Sequence, residues 1–329
     1  MPINAHNGVS IIIVNFNAGA YLTQVLNSII QQNFNNIEII LIDNASSDSS
    51  VENVQDWLIS ELDIRIIRNR INLGFAKAQN QGMRLSSNDL IMPLNFDVIL
   101  QPGFIDEIIS ALENSPKKAG SASGKILRWK KDRLSTNKFD NAGLLMQKNR
   151  IPTHRGRDEF DRGQYDSPMY IFGAMGAAAL YRREMLEDIA YRGQYFDESY
   201  FMWYEDIDLE WRGRLRGWDC LYVPSAVAYH VGDPHGHGRS PFGAEISMRN
   251  RWKMIVSNEC PQCLVKNFPA LMLEEMALFR YVVQKGLISA YLRALRSFLL
   301  TLPDTLDKRA WVRGRAQRPC LPDYPIPLK

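Results

Sequence analysis

The chain has 329 residues, 46% of them hydrophobic and 23% charged, a globular composition that excludes a wholly disordered or fibrous protein. A net charge of +3 is too small for a nucleic-acid coat, so no nucleic-acid partner is expected. The charge is uneven: residues 264–329 carry 11 Lys/Arg against 5 Asp/Glu, a net of +6 that leaves −3 for residues 1–263 and suggests an anionic surface as partner.

Val9–Phe16 (VSIIIVNF) is a β-branched run of the kind found in buried parallel strands. Tyr21–Gln31 reads as a helix, with Leu22, Val25, Leu26, Ile29 and Ile30 recurring on one face. Ile37–Ile42 is a second buried strand, ending at the turn-rich Asp43–Asp48. A helix over about 50–60, a strand at Ile64–Ile67, a helix over about 75–84 and a strand at Asp89–Pro93 follow. This alternation predicts a parallel sheet covered by helices.

Residues 120–164 are less regular, and the basic stretch Lys125–Arg133 and the mixed-charge HRGRDEFDRG read as surface loops and edge strands. Order returns at Met169–Tyr181. A helix from about Glu205 to Arg216 leads to a strand ending near His230. Gly232–Gly243, with four glycines and two prolines, is expected to be a mobile lid, protease-sensitive until ligand binds, and Arg239, with Arg249 and Arg251 just beyond, is expected to reach an anionic ligand there. Helical spacing returns from about Leu264 to Leu300, where Arg280, Lys285, Arg293 and Arg296 interrupt apolar residues. Lys308–Arg318 adds five more cations, so this tail is expected to lie on an anionic membrane or to pack on the body or in a homodimer.

Four cysteines are too few for a disulfide framework, and Cys260-x-x-Cys263 has no second pair at zinc spacing, so it reads as a helix start with free thiols. The N-terminal residues lack the pattern of a signal peptide, and no uncharged apolar stretch reaches the ~20 residues that span a bilayer. A cytoplasmic protein is expected, peripheral on the inner face of the cell membrane if the tail binds lipid.

In an open parallel sheet, ligands sit beyond the carboxyl ends of the strands. Here those ends carry Asn15, Asn17, Asp43 to Asp48, Asn69 to Asn72, Asn95 and Asp97. No G-x-G-x-x-G, no G-x-x-x-x-G-K-[ST] and no G-x-S-x-G stands there, which disfavours a nicotinamide or flavin fold, a P-loop NTPase and a serine hydrolase. Carboxylates and amides around such a crevice suit a base, a ribose and a metal-bridged diphosphate.

Five ordered motifs across residues 9–255 carry a family resemblance. They are Val14-Asn15-Phe16-Asn17, Leu41-Ile42-Asp43-Asn44-x-Ser46-x-Asp48, Asn72-Leu73-Gly74-Phe75-Ala76, Leu94-Asn95-Phe96-Asp97, and Phe196-Asp197-Glu198 through Glu205-Asp206-Ile207-Asp208 to Arg212. Together the chain resembles inverting family 2 glycosyltransferases, and within them the bacterial rhamnosyltransferase-like members that build cell-surface polysaccharide.

The resemblance implies an α/β GT-A-type fold, with a catalytic domain over residues 1–260 (nucleotide half about 9–115, acceptor half about 116–260) and a basic helical extension over 261–329. It implies transfer of a sugar, rhamnose among the candidates, from a dTDP-, UDP- or GDP-sugar to a glycan or lipid-linked glycan hydroxyl. Asp97 and His230 are the expected ligands of Mg2+ or Mn2+, with His235 and His237 as competitors for the histidine role. The base is expected to be Asp206. Donor contacts are expected from Asn15, Asn17, Asp43, Asn44, Asn72, Gly74, Asn95 and Arg249, and acceptor contacts from Gly173, Trp203 and Glu205. Asp208 and Arg212, four apart, read as a structural ion pair. Asn95 departs from the family's first acid, which puts the strength of metal dependence in question. A catalytically inactive nucleotide-sugar-binding subunit is the alternative, and a sugar-nucleotide pyrophosphorylase is disfavoured because NAGAYL stands where its glycine-rich loop would be.

Overall fold

β1 (Val9–Asn15) sends Val9, Ile11 and Ile13 into one core and Ile12 and Val14 into another. Burial on both faces is the physical reason for its unbroken apolar run. The structure is a computed structural model describing residues 8–54, 61–115, 119–129, 136–232, 240–322 and 325–328. The end of the helix expected over 50–60, part of the Lys125–Arg133 stretch, and most of the expected lid with His235, His237 and Arg239 lie outside the described residues.

β1 pairs in parallel with β2 (Ile37–Asp43), and β2 with β3 (Asp63–Arg68). α1 (Tyr21–Ile30) packs Leu22, Val25, Leu26 and Ile29 against one face. α2 (Phe75–Leu85) packs Ala76, Ala78 and Met83 against the other. β4 (Leu90–Asn95) joins the far side of β1, also parallel. After the short β5 (Val98–Leu100), α3 (Phe104–Glu113) returns to the face of α1.

The sheet does not stop there. β6 (Ala119–Arg128) is followed by β7 (Phe139–Asn141), a separate hairpin of β8 (Leu144–Met146) and β9 (Pro152–His154), then β10 (Met169–Ile171) and β11 (Ala179–Arg182). α4 (Arg183–Asp188), α5 (Glu205–Leu215) and β12 (Asp219–His230) complete this half. The main path, closed at its edge by β13 (Ile326–Pro327), runs β13-β10-β12-β6-β11-β4-β1-β2-β3, with β5 on β12 and β7 on β6. It is thus a central, mostly parallel sheet with helices on both faces, extended by antiparallel strands.

Two expectations need correction. Residues 119–128, expected among surface loops and edge strands, form a buried strand between β11 and β12. Its AGSASG start has small residues instead of β-branched ones, so it lacks the usual strand signal; the Lys125 ammonium at its far end is held by Asp161 and Asp166. The helical region is also longer than expected. α6 (Pro241–Asn258) precedes α7 (Pro261–Gln284), α8 (Ile288–Leu300) and α9 (Leu302–Arg315). α6 escapes periodicity because both its polar and its apolar residues are buried between α5, α8 and α9.

Each of the five cations of residues 308–318 is bonded within the chain. Lys308, 2% exposed in its side chain, bonds Asp197 at 2.7 Å and both oxygens of Asp208 at 2.8 Å. Arg309 donates to the Val256 carbonyl, Arg313 to that of Pro319, Arg315 to Asp188, and Arg318 to Asp219. They stitch the extension to the body. Among the described residues, no helix is long and apolar enough to cross a membrane.

Candidate active site

A cleft of about 790 Å³ opens where β1 and β4 end, walled by the 201–207 segment and by β9. Strand pairing builds its floor. β5 lies antiparallel to the end of β12 with Val98 opposite His230, which brings Asp97 beside the imidazole. His230 Nε2 stands 3.4 Å from Asp97 Oδ2, and both residues line the cleft. His230 Nδ1 meets Asp140 Oδ2 at 2.8 Å. Asp140 accepts the Nδ1–H and so aims Nε2 toward Asp97, the arrangement by which a carboxylate orients a ligating histidine. Burial opposes protonation of His230, but Asp97 and Asp140 lift its pKa to about 10, so a cation ligated by Nε2 would have to take the place of the proton there. Burial likewise opposes the ionisation of Asp140, yet His230 and Arg157 hold its pKa at about 2.

One carboxylate oxygen and one ring nitrogen at this spacing fit a divalent cation of the Mn2+ or Mg2+ class, with nitrogen favouring Mn2+. Asn95 Oδ1, buried in the same wall, has no hydrogen-bond partner. It offers a neutral acceptor where a carboxylate would have supplied charge.

The opposite wall is a strained turn feeding α5. Phe201, Trp203 and Tyr204 have φ of 67°, 63° and 69°, a region that L-residues avoid. Asn250, fully buried on α6, holds the turn: its Nδ2 donates to the carbonyls of Tyr200, Met202 and Trp203 at 2.8–2.9 Å. The turn delivers Glu205 and Asp206 into the cleft at the start of α5. Asp206 Oδ2 accepts from the Gly176 N–H at 3.0 Å and Oδ1 from that of Ile207 at 2.8 Å. Burial raises the Asp206 pKa, and those two N–H groups moderate the rise. Glu205 is pushed well above the usual carboxylate range by burial and then by the Asp206 charge, and its Oε2 has no partner.

The expected donor residues divide. Asn44, Asn72, Gly74 and Asn95 line the cleft. Asn44 organises that corner, donating to Asn72 Oδ1 at 2.9 Å and accepting from Asn69 and the Leu73 N–H. Asn15, Asn17 and Asp43 lie behind it. Asn15, paired in register with Asp43, donates to Asp43, Ser46 and Ser50. Asn17 clamps the backbone of Ser47 and Asp48. Arg249 does not line the cleft: its guanidinium holds the carbonyls of Ser199 and Tyr200 and the Asn250 side chain. Arg251 is likewise taken, by Glu275 and the Asn149 carbonyl.

On the acceptor side Trp203 and Glu205 face the cleft, whereas Gly173 packs against Glu210 behind it. Asp208 and Arg212 form a buried pair at 2.9 Å. Sequence reasoning missed Asp140, Asn250 and the cleft-lining His154 and Arg157. The last two sit in the mixed-charge stretch read as surface, where charge density gave no sign of a half-buried wall.

Residues 10–190 match the family model described as Glycosyl transferase family 2. An uncharacterized glycosyltransferase of Haemophilus influenzae is 36% identical over 109 residues, which are 32% of this chain and 33% of that protein. The match to this relative therefore spans about a third of its length. An N-acetylglucosaminyl-diphospho-decaprenol L-rhamnosyltransferase of Mycobacterium tuberculosis is 26% identical over 262 residues, 70% of this chain and 78% of that one. Among solved structures, the mannosyltransferase PcManGT from Pyrobaculum calidifontis in complex with GDP-Man and Mn2+ aligns with a TM-score of 0.55 at 15% identity, over 96% of this chain and 89% of that one.

Proposed function

The chain belongs to glycosyl transferase family 2 and has the GT-A fold, and from that premise we propose that it transfers a sugar, with inversion, from a nucleoside diphosphate to an acceptor hydroxyl in cell-surface polysaccharide synthesis. The observation that carries this reading is the placement of the Asp97–His230 pair and the Asp206 carboxylate in one cleft. Asp206 takes the acceptor proton as the acceptor oxygen bonds to the anomeric carbon, and the bond from that carbon to the diphosphate breaks with its electrons leaving on phosphate. Burial raises its pKa, which moves it toward the working range of a base, and Glu205 beside it is pushed up by the same burial and by the Asp206 charge. When bound at Asp97 and His230, a divalent cation supplies neutralisation of the charge arriving on the leaving group.

We assign Asn44, Asn72, Gly74 and Asn95, which line the cleft, to the donor, and Asp43, bonded to Asn15 and the Ser46 N–H behind them, to the support of that wall. Rhamnose is the sugar, and a lipid-linked glycan the acceptor, that the name of the Mycobacterium relative suggests. Residues 1–260 would carry the chemistry and 261–329 the attachment. α7 exposes Val265, Phe268, Met272, Met276, Phe279 and Val283, one stripe at three- and four-residue spacing. The only acids of α7 and α8, Glu274 and Glu275, are bonded to Asn149 and to Arg251 and Trp252, while Lys266, Arg280, Lys285 and Arg296 are exposed. An apolar stripe whose exposed charges are all cationic suits an anionic bilayer surface.

Thermal shift with UDP-, dTDP- and GDP-sugars, each with Mn2+, Mg2+ or chelator, tests the donor assignment, because ligands stabilise the state that binds them. A shift requiring both nucleotide and metal supports it; no shift with any pair overturns it. Sedimentation with anionic vesicles at low and high salt tests the membrane face. Absence of binding at low salt, or a concentration-dependent dimer that buries the stripe, overturns that part.

A further inference from the structure

Cys260, Cys263 and Cys320 bring their sulfurs within 4.8 Å of one another, and none of them lines the cleft. Among the described residues this is the only group of three or more His, Cys, Asp or Glu side chains whose donor atoms converge in this way. Cys260 caps the start of α7, so the C-x-x-C turn presents both of its sulfurs at a helix N-terminus. Cys320 arrives from the segment after α9, which is anchored by the Gln317 and Arg318 N–H groups on the Leu215 carbonyl. The pattern is invisible in spacing because the third sulfur lies 57 residues beyond Cys263.

We propose that these three thiols bind a thiophilic divalent cation, Zn2+, and so clasp the C-terminal segment to the start of α7. The Cys320 sulfur is 2.8 Å from that of Cys260 and 2.6 Å from that of Cys263, so it favours neither as a disulfide partner. All four cysteines are free. A shared ion at the usual Zn–S distance of about 2.3 Å needs the three sulfurs only to move apart slightly, to roughly 3.8 Å. The Cys263 N–H donates to Cys260 Sγ at 3.0 Å, a bond that favours thiolate over thiol.

Three thiolates on a divalent ion leave one negative charge. Arg313 lies against this segment, with Nη2 on the Pro319 carbonyl at 2.7 Å and Nη1 buried without a partner. Cys263 and Cys320 are only half-buried, so water can complete a tetrahedron. Nothing in this assignment depends on the catalytic reading of the cleft.

The full-length chain, produced with zinc in the medium and purified under reducing conditions, is assayed for metal by plasma mass spectrometry. About one Zn2+ per chain is expected, released by a mercurial and resistant to a chelator treatment that strips Mn2+. Cys320→Ser, in the more accessible segment, should lower zinc content at least tenfold, whereas Cys220→Ser and Asp97→Ala should leave it unchanged. Co2+ substitution should give a thiolate-to-cobalt absorption that Cys320→Ser abolishes, a readout that remains valid if Cys260→Ser does not fold. Less than a tenth of an equivalent of zinc in the wild-type chain, zinc unchanged by Cys320→Ser, or a mass two daltons low from a disulfide among the three would each overturn the proposal.

Discussion

Replacing Asn250 by Ala removes the amide that holds the turn before α5. The Tyr200 carbonyl keeps a second donor in Arg249, but those of Met202 and Trp203 lose the Asn250 bond inside the protein. A buried carbonyl left without its donor costs ~1–3 kcal/mol, so two of them cost roughly 2–6 kcal/mol if nothing relaxes. The turn will relax, because its three residues at positive φ store of order 1–3 kcal/mol each and the missing amide is what offsets that strain. Relaxation recovers part of the stability and moves Glu205 and Asp206. The expected result is a loss of about 2–3 kcal/mol in urea unfolding at constant m, with kcat for transfer down ~10²-fold, since a displacement near 1 Å can cost that much. Nucleotide affinity, governed by the opposite wall, should change less than threefold. A variant with wild-type kcat would show that the turn holds its shape without Asn250.

Asp206→Asn should keep donor affinity and cut transfer ~10²–10⁴-fold, the usual contribution of a general base; transfer near the wild-type rate would move the role to Glu205. Asp140→Asn should weaken Mn2+ binding, measured by calorimetry in the presence of nucleotide, by ~10–100-fold through loss of imidazole orientation. Unchanged affinity would leave Asp140 a structural partner only. Lys308→Met should cost ~3–5 kcal/mol at pH 7, because it takes the bonded cation from the buried Asp197 carboxylate and leaves Asp208 with Arg212 alone. Both acids are held below their usual range against burial, by Lys308 foremost, so their contribution is present above the unfolded value near 3.9 and is lost as pH falls through the depressed folded values. The stability gap between variant and wild type should therefore narrow below about pH 4; a gap independent of pH would refute the charge account.

The half of the fold built from doubly buried strands was legible, since β1, β2 and β4 are apolar on both faces and their ends name the crevice. What escaped reading has a common cause: the informative partner is distant or the residue is ordinary. β6 begins with Ala, Gly and Ser because bulky neighbours crowd it, as Phe104 crowds Gly124 and Met185 crowds Gly120. Arg249 reads as a phosphate ligand by charge, yet its guanidinium is committed to carbonyls that only the fold brings within reach. Asp140 and Asn250 belong to no local pattern, because each acts on a residue tens of positions away. The zinc clasp was half visible as a C-x-x-C and lacked the ligand supplied by Cys320.

The Lys308–Asp208 contact has a consequence for how the chain is made. Asp208 sits at the heart of α5 with 0% exposure, and the second of its two cationic partners follows 100 residues later. At ribosomal rates of about 5–20 residues per second, roughly 5–20 s of synthesis separate the two. During that interval the sheet can assemble around β1, but α5 cannot seat fully without enclosing a carboxylate that lacks its lysine. A nascent chain thus closes α5 around Asp208 with Arg212 as its one cation until the last helix emerges: a product ending before α9 would lack the second cation and the bond to Asp197, and quality control would meet it as a weakened fold.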